Sequence, residues 1–505
     1  MTDVAFAGIA RQAEMVRAGD VTPTDLVELY LDRIDRLDPE LNAYRVVLAD
    51  RAREEAKQVE AKLAKGEGEK LPLAGVPIAV KDAENVEGEI TTWGTKGFDT
   101  PADADGEMIR RLRAAGAIIL GKTNLPELAI CGFTETEAWG ITRNPWDTSR
   151  TPGGSSGGSA AATAAGLCAG ATASDGGGSI RIPAALCGLF GIKPQRDRIS
   201  LAPAREHWHG LSVTGCVTRT VEDSALWLDI CNGGVAGGPP LPDHSFVNEC
   251  RASPRRLRIA WSTKPPRLAA PAKLSDEVAQ GVEDTASLLA RLGHAVERKD
   301  PDWGLIGNNF TPRFLNGIKV EFDKVPHPER LEDRTHGFAK LGRLSGGRIV
   351  KRARRGEGKD ARRILSLFDT CDVLVMPVTG ETAVEIGRWA GQGALRTVAG
   401  MSRTYPYTGP WNHLGNPAAS VPIGFSKKGM PLAVQLVGRS NDEATLLSLA
   451  AQLESARAFA LDCGAWASVA SAVAGIQPML PAGWASSRLR RCTNPSRISS
   501  FGVSS

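Results

Sequence analysis

Three stretches of this 505-residue chain carry residue types that could do chemistry. The first is Gly116-Ala-Ile-Ile-Leu-Gly121-Lys122-Thr123, which matches the phosphate-loop pattern letter for letter. A phosphate cradle needs a strand before its first glycine, a helix after its Lys-Thr and free backbone N–H groups in a flexible polar loop. Here the four middle residues are themselves the apolar strand, and Pro126 interrupts the segment after Thr123, so nucleotide binding is rejected. The second is Gly154-Ser155-Ser156-Gly157-Gly158, with Ser156 in the nucleophile slot of a G-x-S-x-G elbow. That elbow must sit between a strand and a helix. The preceding Asn144 to Pro152 holds two prolines and does not read as a strand, and nothing singles out His207, His209 or His413 as the required histidine. The third is Lys81, at the end of the apolar run Val76 to Val80, with the glycine triplet Gly176-Gly177-Gly178 before Ser179.

A serine hydroxyl is a weak nucleophile and needs an adjacent base. With no histidine indicated, Lys81 is the candidate, because burial disfavours its ammonium form. Its ordinary pKa of ~10.4 must fall for it to take a proton near neutrality. Gly176, Gly177 and Gly178 lack side chains, so their backbone N–H groups can converge on a carbonyl oxygen as an oxyanion hole.

The segment from Gly153 to Pro194 reads GGSSGGSAAATAAGLCAGATASDGGGSIRIPAALCGLFGIKP. Together with GVPIAVKD (Gly75 to Asp82), GKTNLPELA, WGITRNPWD and GNPAASVPIGF, it resembles the amidase signature family, in motifs running from about residue 5 to about residue 455. The resemblance implies a Ser-Ser-Lys triad: Ser179 as nucleophile, Ser155 as a relay in a cis peptide, and Lys81 as base. It implies hydrolysis of a carbon–nitrogen (amide) bond through an acyl-enzyme, releasing a carboxylate and ammonia or an amine. Ser156 is expected to support the network, and Asp175 and Arg181 to pair and fix the loop. The family usually has Thr where Ser174 stands, and the end of the chain beyond about residue 459 departs from the family pattern. An amidotransferase subunit supplying ammonia for transamidation of misacylated tRNA is the alternative, as is a carbamate-cleaving relative. The former usually continues its lysine motif with Asp-Asn, whereas Asp82 is followed here by Ala83-Glu84.

These groups must be positioned by a fold, and the pattern is α/β: a large mixed sheet covered by helices on both faces, as the resemblance implies. The first ~70 residues read as helices, one capped by Thr22 with Pro23 and Asp25 next in the chain and Leu26, Tyr30 and Ile34 on one face. Met108 to Ala115, Ala160 to Leu167, 274–293, 357–368 and 442–454 read as helices; Ala117 to Leu120, Val373 to Val378 and Leu432 to Val437 read as buried strands. Residues 236–256, rich in Pro, Gly and Ser, read as a surface connection. One catalytic domain is expected over 1–460, with a signature core of about 70–220 and a substrate-shaping region of about 236–400. A weakly structured tail is expected over 461–505. Ala129 to Trp139 is expected to line the substrate pocket, where Ile130, Cys131 and Phe133 would favour a neutral, partly hydrophobic amide.

Composition narrows the alternatives. With 42% hydrophobic and 23% charged residues and a net charge of +4, no nucleic-acid or membrane partner is expected. Nine cysteines without a C-x-x-C pair read as reduced thiols of a cytoplasmic protein rather than as a disulfide scaffold. The seven histidines form no ligand cluster, so neither metal nor organic cofactor is expected. The N-terminus has no apolar signal region and no stretch reaches membrane-spanning length. The expected partner is a small-molecule amide substrate, with a homodimer left open.

Overall fold

The computed structural model describes Thr2–Arg457, so the expectation for the tail from residue 461 lies outside the described residues. These residues belong to one compact unit. Its strands are β1 (Tyr44–Val47), β2 (Pro77–Lys81), β3 (Ile118–Thr123), β4 (Glu135–Thr136), β5 (Gly140–Ile141), β6 (Ala171–Asp175), β7 (Phe190–Lys193), β8 (Val213–Thr218), β9 (Arg258–Trp261), β10 (Ala295–Arg298), β11 (Val373–Pro377), β12 (Ala418–Phe425) and β13 (Pro431–Gly438). Eleven of them form one sheet in the order β1-β3-β2-β6-β8-β7-β12-β13-β11-β9-β10, while β4 and β5 make a separate hairpin.

The sheet is mixed. The β3-β2-β6 group is parallel, as is β11-β9-β10, and antiparallel pairings join the two groups through β8, β7, β12 and β13. Every residue of β2, β3, β7, β8 and β11 is buried, and β2, the start of β3 and β11 accordingly read as continuous apolar runs rather than alternating ones. This is the sheet with covering helices expected from the sequence.

Most predicted elements sit where their apolar spacing puts them. Helix Pro23–Leu41 begins in a capping box: Thr22 Oγ1 accepts from the Asp25 N–H, and Asp25 Oδ2 accepts from the Thr22 N–H, each at 3.0 Å. Helices Glu107–Ala114, Gly157–Ala164, Asp276–Arg291 and Glu443–Arg457 match their predicted segments within a few residues.

Three segments differ. The first ~70 residues are not all helical, because Tyr44–Val47 adds to β3 as an antiparallel edge strand. The predicted connection 236–256 contains helix Phe246–Arg251; the Ser245 hydroxyl caps it by accepting from the Asn248 N–H (3.1 Å), and Phe246 and Cys250, one turn apart, are both buried. The helix expected at 357–368 starts earlier, at Arg348, because Val350, Ala353, Asp360 and Ile364 form its buried stripe within a very basic sequence. Among the described residues no helix is long and apolar enough to cross a membrane, and the seven cysteines are all free and buried.

The capping box gives a direct check of this reading of the N-terminal helix. Thr22→Ala should cost about 0.5–2 kcal/mol in unfolding free energy and leave turnover unchanged, measured by denaturant titration beside an activity assay. No loss of stability would mean that the cap contributes nothing.

Candidate active site

β2 lies between β3 and β6, and its last side chain, Lys81, is wholly buried. The amine donates to Ser155 Oγ at 2.8 Å and to Ser174 Oγ at 2.9 Å, while the Lys81 backbone N–H donates to Thr172 Oγ1 at 2.7 Å. Among the described residues no carboxylate lies within ion-pair distance of that amine. Burial is accordingly the dominant influence: it pulls the Lys81 pKa down to about 7, against weaker upward pulls from Glu84 and Asp175. Near neutrality a substantial fraction of this amine is unprotonated and can accept a proton.

The neighbouring Asp82 holds the end of β2 in place. It pairs with Lys122 at 2.8 Å and Arg45 at 2.7 Å, and it accepts from the Thr92 hydroxyl. Lys122, the lysine of the phosphate-loop pattern, is thus a buried partner of Asp82 on a strand.

Ser155 comes to Lys81 from a turn whose Gly154–Ser155 peptide is cis. A Cβ on Gly154 would lie 2.6 Å from the Phe133 nitrogen and 2.7 Å from the Cys131 oxygen, so only glycine fits there. Ser156 points elsewhere: its Oγ lies 3.4 Å from both the backbone nitrogen and oxygen of Ser174, so it braces the residue that shares the Lys81 amine. The histidines weighed against the elbow pattern have other partners: His207 lies 3.0 Å from Ser212, His209 2.9 Å from Asn316, and His413 3.1 Å from Asp360.

β6 ends at Asp175, and the chain turns through Gly176–Ile180 into the short helix Arg181–Cys187. Asp175 organises that turn. Its carboxylate accepts from the Gly178 N–H (2.6 Å), the Ile180 N–H (3.2 Å), Arg181 Nε and Nη2 (2.9 and 3.0 Å) and Asn412 Nδ2 (2.8 Å). Burial alone would raise its pKa, but the charge and hydrogen bonds of Arg181, with Asn412, outweigh it and hold the carboxyl at about 2. The expected Asp175–Arg181 pair therefore exists, wholly buried. Arg181 also donates to the Thr408 carbonyl (3.0 Å) and Gln435 Oε1 (2.6 Å), and the Thr408 hydroxyl donates to the Gly177 carbonyl (2.6 Å).

One member of the expected oxyanion hole is corrected by this network. The Gly178 N–H is committed to Asp175, which leaves Gly176 and Gly177 as the triplet's candidate donors. Gly178 is required for another reason: its φ of +135° is a conformation that residues with side chains rarely adopt.

Every residue from Thr151 to Pro194 is buried except Ser174, Gly177 and Ser179, which are half-buried. Gly177 and Ser179 line a cleft walled by Ile130, Cys131, Ile182, Trp208, Leu268, Phe310, Phe314, Val398, Met401 and Tyr405, among others. Its enclosed volume is about 80 Å³ and its surface is mainly apolar, room for a group of a few heavy atoms. Ile130 and Cys131 thus lie where expected. Phe133 does not: it is wholly buried, stacked on Trp389 with ring centroids 4.6 Å apart and capped by Arg334. The wall also reaches past the anticipated limit at residue 400, through Met401, Tyr405 and Gly409.

The profile described as Amidase matches residues 25–303 and 318–447. The chain belongs to the amidase family. AmiB2 of Mycobacterium tuberculosis, an amidase by name, is 50% identical over 460 residues, covering 91% of this chain and 98% of that protein. The 6-aminohexanoate-cyclic-dimer hydrolase of Pseudomonas sp. strain NK87 is 34% identical, covering 88% and 94%. A solved 6-aminohexanoate cyclic dimer hydrolase with bound substrate superposes with a TM-score of 0.80 at 32% identity, covering 89% of this chain and 97% of that one. The native peptide amidase from Stenotrophomonas maltophilia superposes with a TM-score of 0.74 at 25% identity, covering 91% and 98%. This amidase is therefore a hydrolase of amide bonds.

Several residues that build its site are not singled out by the sequence. Asn412, Thr408 and Gln435 hold the Ser179 loop from more than 200 positions away, and no local pattern marks them. Phe310, Phe314 and Met401 wall the cleft from helices Gly307–Phe322 and Ala394–Thr404. Ser174 is visible as the hydroxyl residue standing where the family usually has Thr, and its bond to Lys81 shows what a hydroxyl does there.

Removing the Asp175 charge leaves Arg181 buried without its counter-ion. Asp175→Asn should destabilise this amidase by about 3–5 kcal/mol, read from chemical denaturation. A loss below about 1 kcal/mol would show that Gln435, Asn412 and the Thr408 carbonyl suffice for the guanidinium.

Proposed function

We propose that this amidase cleaves small neutral or partly hydrophobic amides by acyl transfer to Ser179, with Ser155 relaying protons to and from Lys81. The observation that carries the reading is the wholly buried Lys81 amine, 2.8 Å from Ser155 Oγ, whose burial pulls its pKa down to about 7. Unprotonated Lys81 takes the Ser155 proton while Ser155 takes that of Ser179, and Ser179 Oγ attacks the amide carbon. The developing oxyanion is met by the N–H groups of Gly176 and Gly177. The proton then returns from Lys81 through Ser155 to the leaving nitrogen, and ammonia or an amine departs. Water repeats the sequence on the acyl-enzyme and releases the carboxylate. The small apolar cleft beside Ser179 supports an apolar acyl group. The kinship to a cyclic-dimer hydrolase and the likeness to a peptide amidase make cyclic amides and peptide amides natural members of a substrate panel beside linear aliphatic amides and anilides.

The roles are separable by substitution. Ser179→Ala should abolish both turnover and labelling by a fluorophosphonate probe, whereas Ser156→Ala should still be labelled. The reverse pattern would make Ser156 the nucleophile. Lys81→Ala should cost on the order of 10³-fold or more in kcat, and Lys81→Arg should not rescue it, since a guanidinium stays protonated at these pH values. The pH dependence is set by the sign of the shift. Below about pH 7 Lys81 is protonated and cannot accept a proton; above it the base is free, so kcat/KM should climb through about pH 7 and level off. Near-normal turnover by Lys81→Arg would remove Lys81 as the base.

A further inference from the structure

The lysine motif of this chain continues as Asp82-Ala83-Glu84, and the mechanism above leaves Glu84 without a role. A hydroxyl holds it in place. Glu84 Oε1 accepts a hydrogen bond from the Thr214 hydroxyl at 2.8 Å. Thr214 on β8 is the direct register partner of Ser174 on β6. Residues opposite each other in an antiparallel pair project their side chains to the same face, with Cβ atoms about 5 Å apart. Ser174 is also the second acceptor of the Lys81 amine, at 2.9 Å. The sheet thus sets two hydroxyls side by side, one bound to the Lys81 amine and the other to the Glu84 carboxylate.

Resting on the assignment of Lys81 as base, we propose that Glu84 is a positioning residue for it: its carboxylate, pinned by Thr214, faces the amine across the Ser174–Thr214 pair and strengthens it as a proton acceptor. The surroundings suit this role. Among charged groups, Glu84 raises the proton affinity of Lys81 more than Asp175 does, and Asp175 is engaged with Arg181 and Asn412. Glu84 is itself pushed above the usual carboxylate range by burial, opposed by the Thr214 hydrogen bond and by Lys81, His207 and Lys122. Lys122 is paired with Asp82, and the His207 imidazole lies 3.3 Å from Glu321 and stacks on Trp93 and Trp208. Both are already occupied, so among the described residues Lys81 is the basic group left for Glu84 to serve. A buried lysine without such a carboxylate would titrate lower still and pull less strongly on the Ser155 proton.

The test is the acid limb of kcat/KM against pH for wild type, Glu84→Gln and Glu84→Asp. Gln keeps an oxygen that accepts from Thr214 and removes only the charge. The Glu84→Gln limb should move down by about one pH unit, with a plateau lowered several-fold, and Glu84→Asp should recover most of the wild-type midpoint. A Glu84→Gln midpoint equal to that of wild type, or above it, overturns the proposal whatever the plateau rate. Should Glu84→Gln fail to fold, Thr214→Val, which frees the carboxylate, carries the test: its limb should shift in the same direction, and an unmoved limb overturns the proposal. Failure of the underlying assignment looks different, since then wild type has no limb near pH 7 or Lys81→Arg is active.

Discussion

A buried primary amine, with no carboxylate in contact among the described residues, is the constraint on which the rest of this amidase depends. Such an amine in its charged form is expensive, and the protein relieves the expense by letting it titrate near neutrality rather than by pairing it. That choice requires a strand buried on both faces and both edges. It also requires hydroxyls in place of acids around the amine: Ser155 and Ser174 at hydrogen-bond distance, with Thr172 taking the Lys81 backbone N–H. The next residue shows the opposite solution. Asp82 is equally buried but is paired with both Lys122 and Arg45. Adjacent positions in the chain thus carry an amine held by hydroxyls and a carboxylate held by cations.

The second half of the sheet positions the Ser179 loop. Asp175 gathers two backbone N–H groups of the turn together with Arg181 and Asn412, and Arg181 carries the connection on to Thr408 and Gln435. The Gln435 side chain donates in turn to the Tyr407 and Pro377 carbonyls, at 3.2 and 3.4 Å. A chain of buried polar groups therefore ties the Ser179 turn to β11, β13 and helix Gly409–Leu414. Because every member is buried, each depends on its partners, and the network is either satisfied as a whole or costly. These bonds restrain a loop rich in glycine beside an open cleft.

How much of this the sequence displays depends on how local each signal is. The run into Lys81, the GGSSGG turn and the glycine triplet before Ser179 are contiguous, and each has a backbone or burial requirement that its residues state directly. The buried strands are legible for the same reason, as unbroken apolar runs. Tyr44–Val47 is hidden in the sequence because four residues at a sheet edge carry too little periodicity to stand out from flanking helices. Phe133 reads as a pocket residue because it comes just after Ile130 and Cys131 in an irregular segment, where no period tells which side chains face the cleft and which face Trp389. Gly178 reads as an oxyanion donor because nothing in a glycine's type reveals that its N–H is already held by Asp175. The Asn412–Arg181 and Thr408–Gly177 bonds join positions 231 apart, so they exist only in the folded chain.

The central claim, that burial brings the Lys81 amine down to titrate near neutrality, is tested most directly by titrating that amine itself. Lysine labelled with ¹³C at the ε-carbon, with the Lys81 resonance assigned by its loss in Lys81→Arg, reports protonation through its chemical shift without reference to any substrate. The midpoint expected for Lys81 is about pH 7, with exposed lysines titrating near ~10.4. A Lys81 resonance that stays in its protonated position to about pH 10 would show an ammonium stabilised within the site, and the protein would then have to activate Ser179 by some other base.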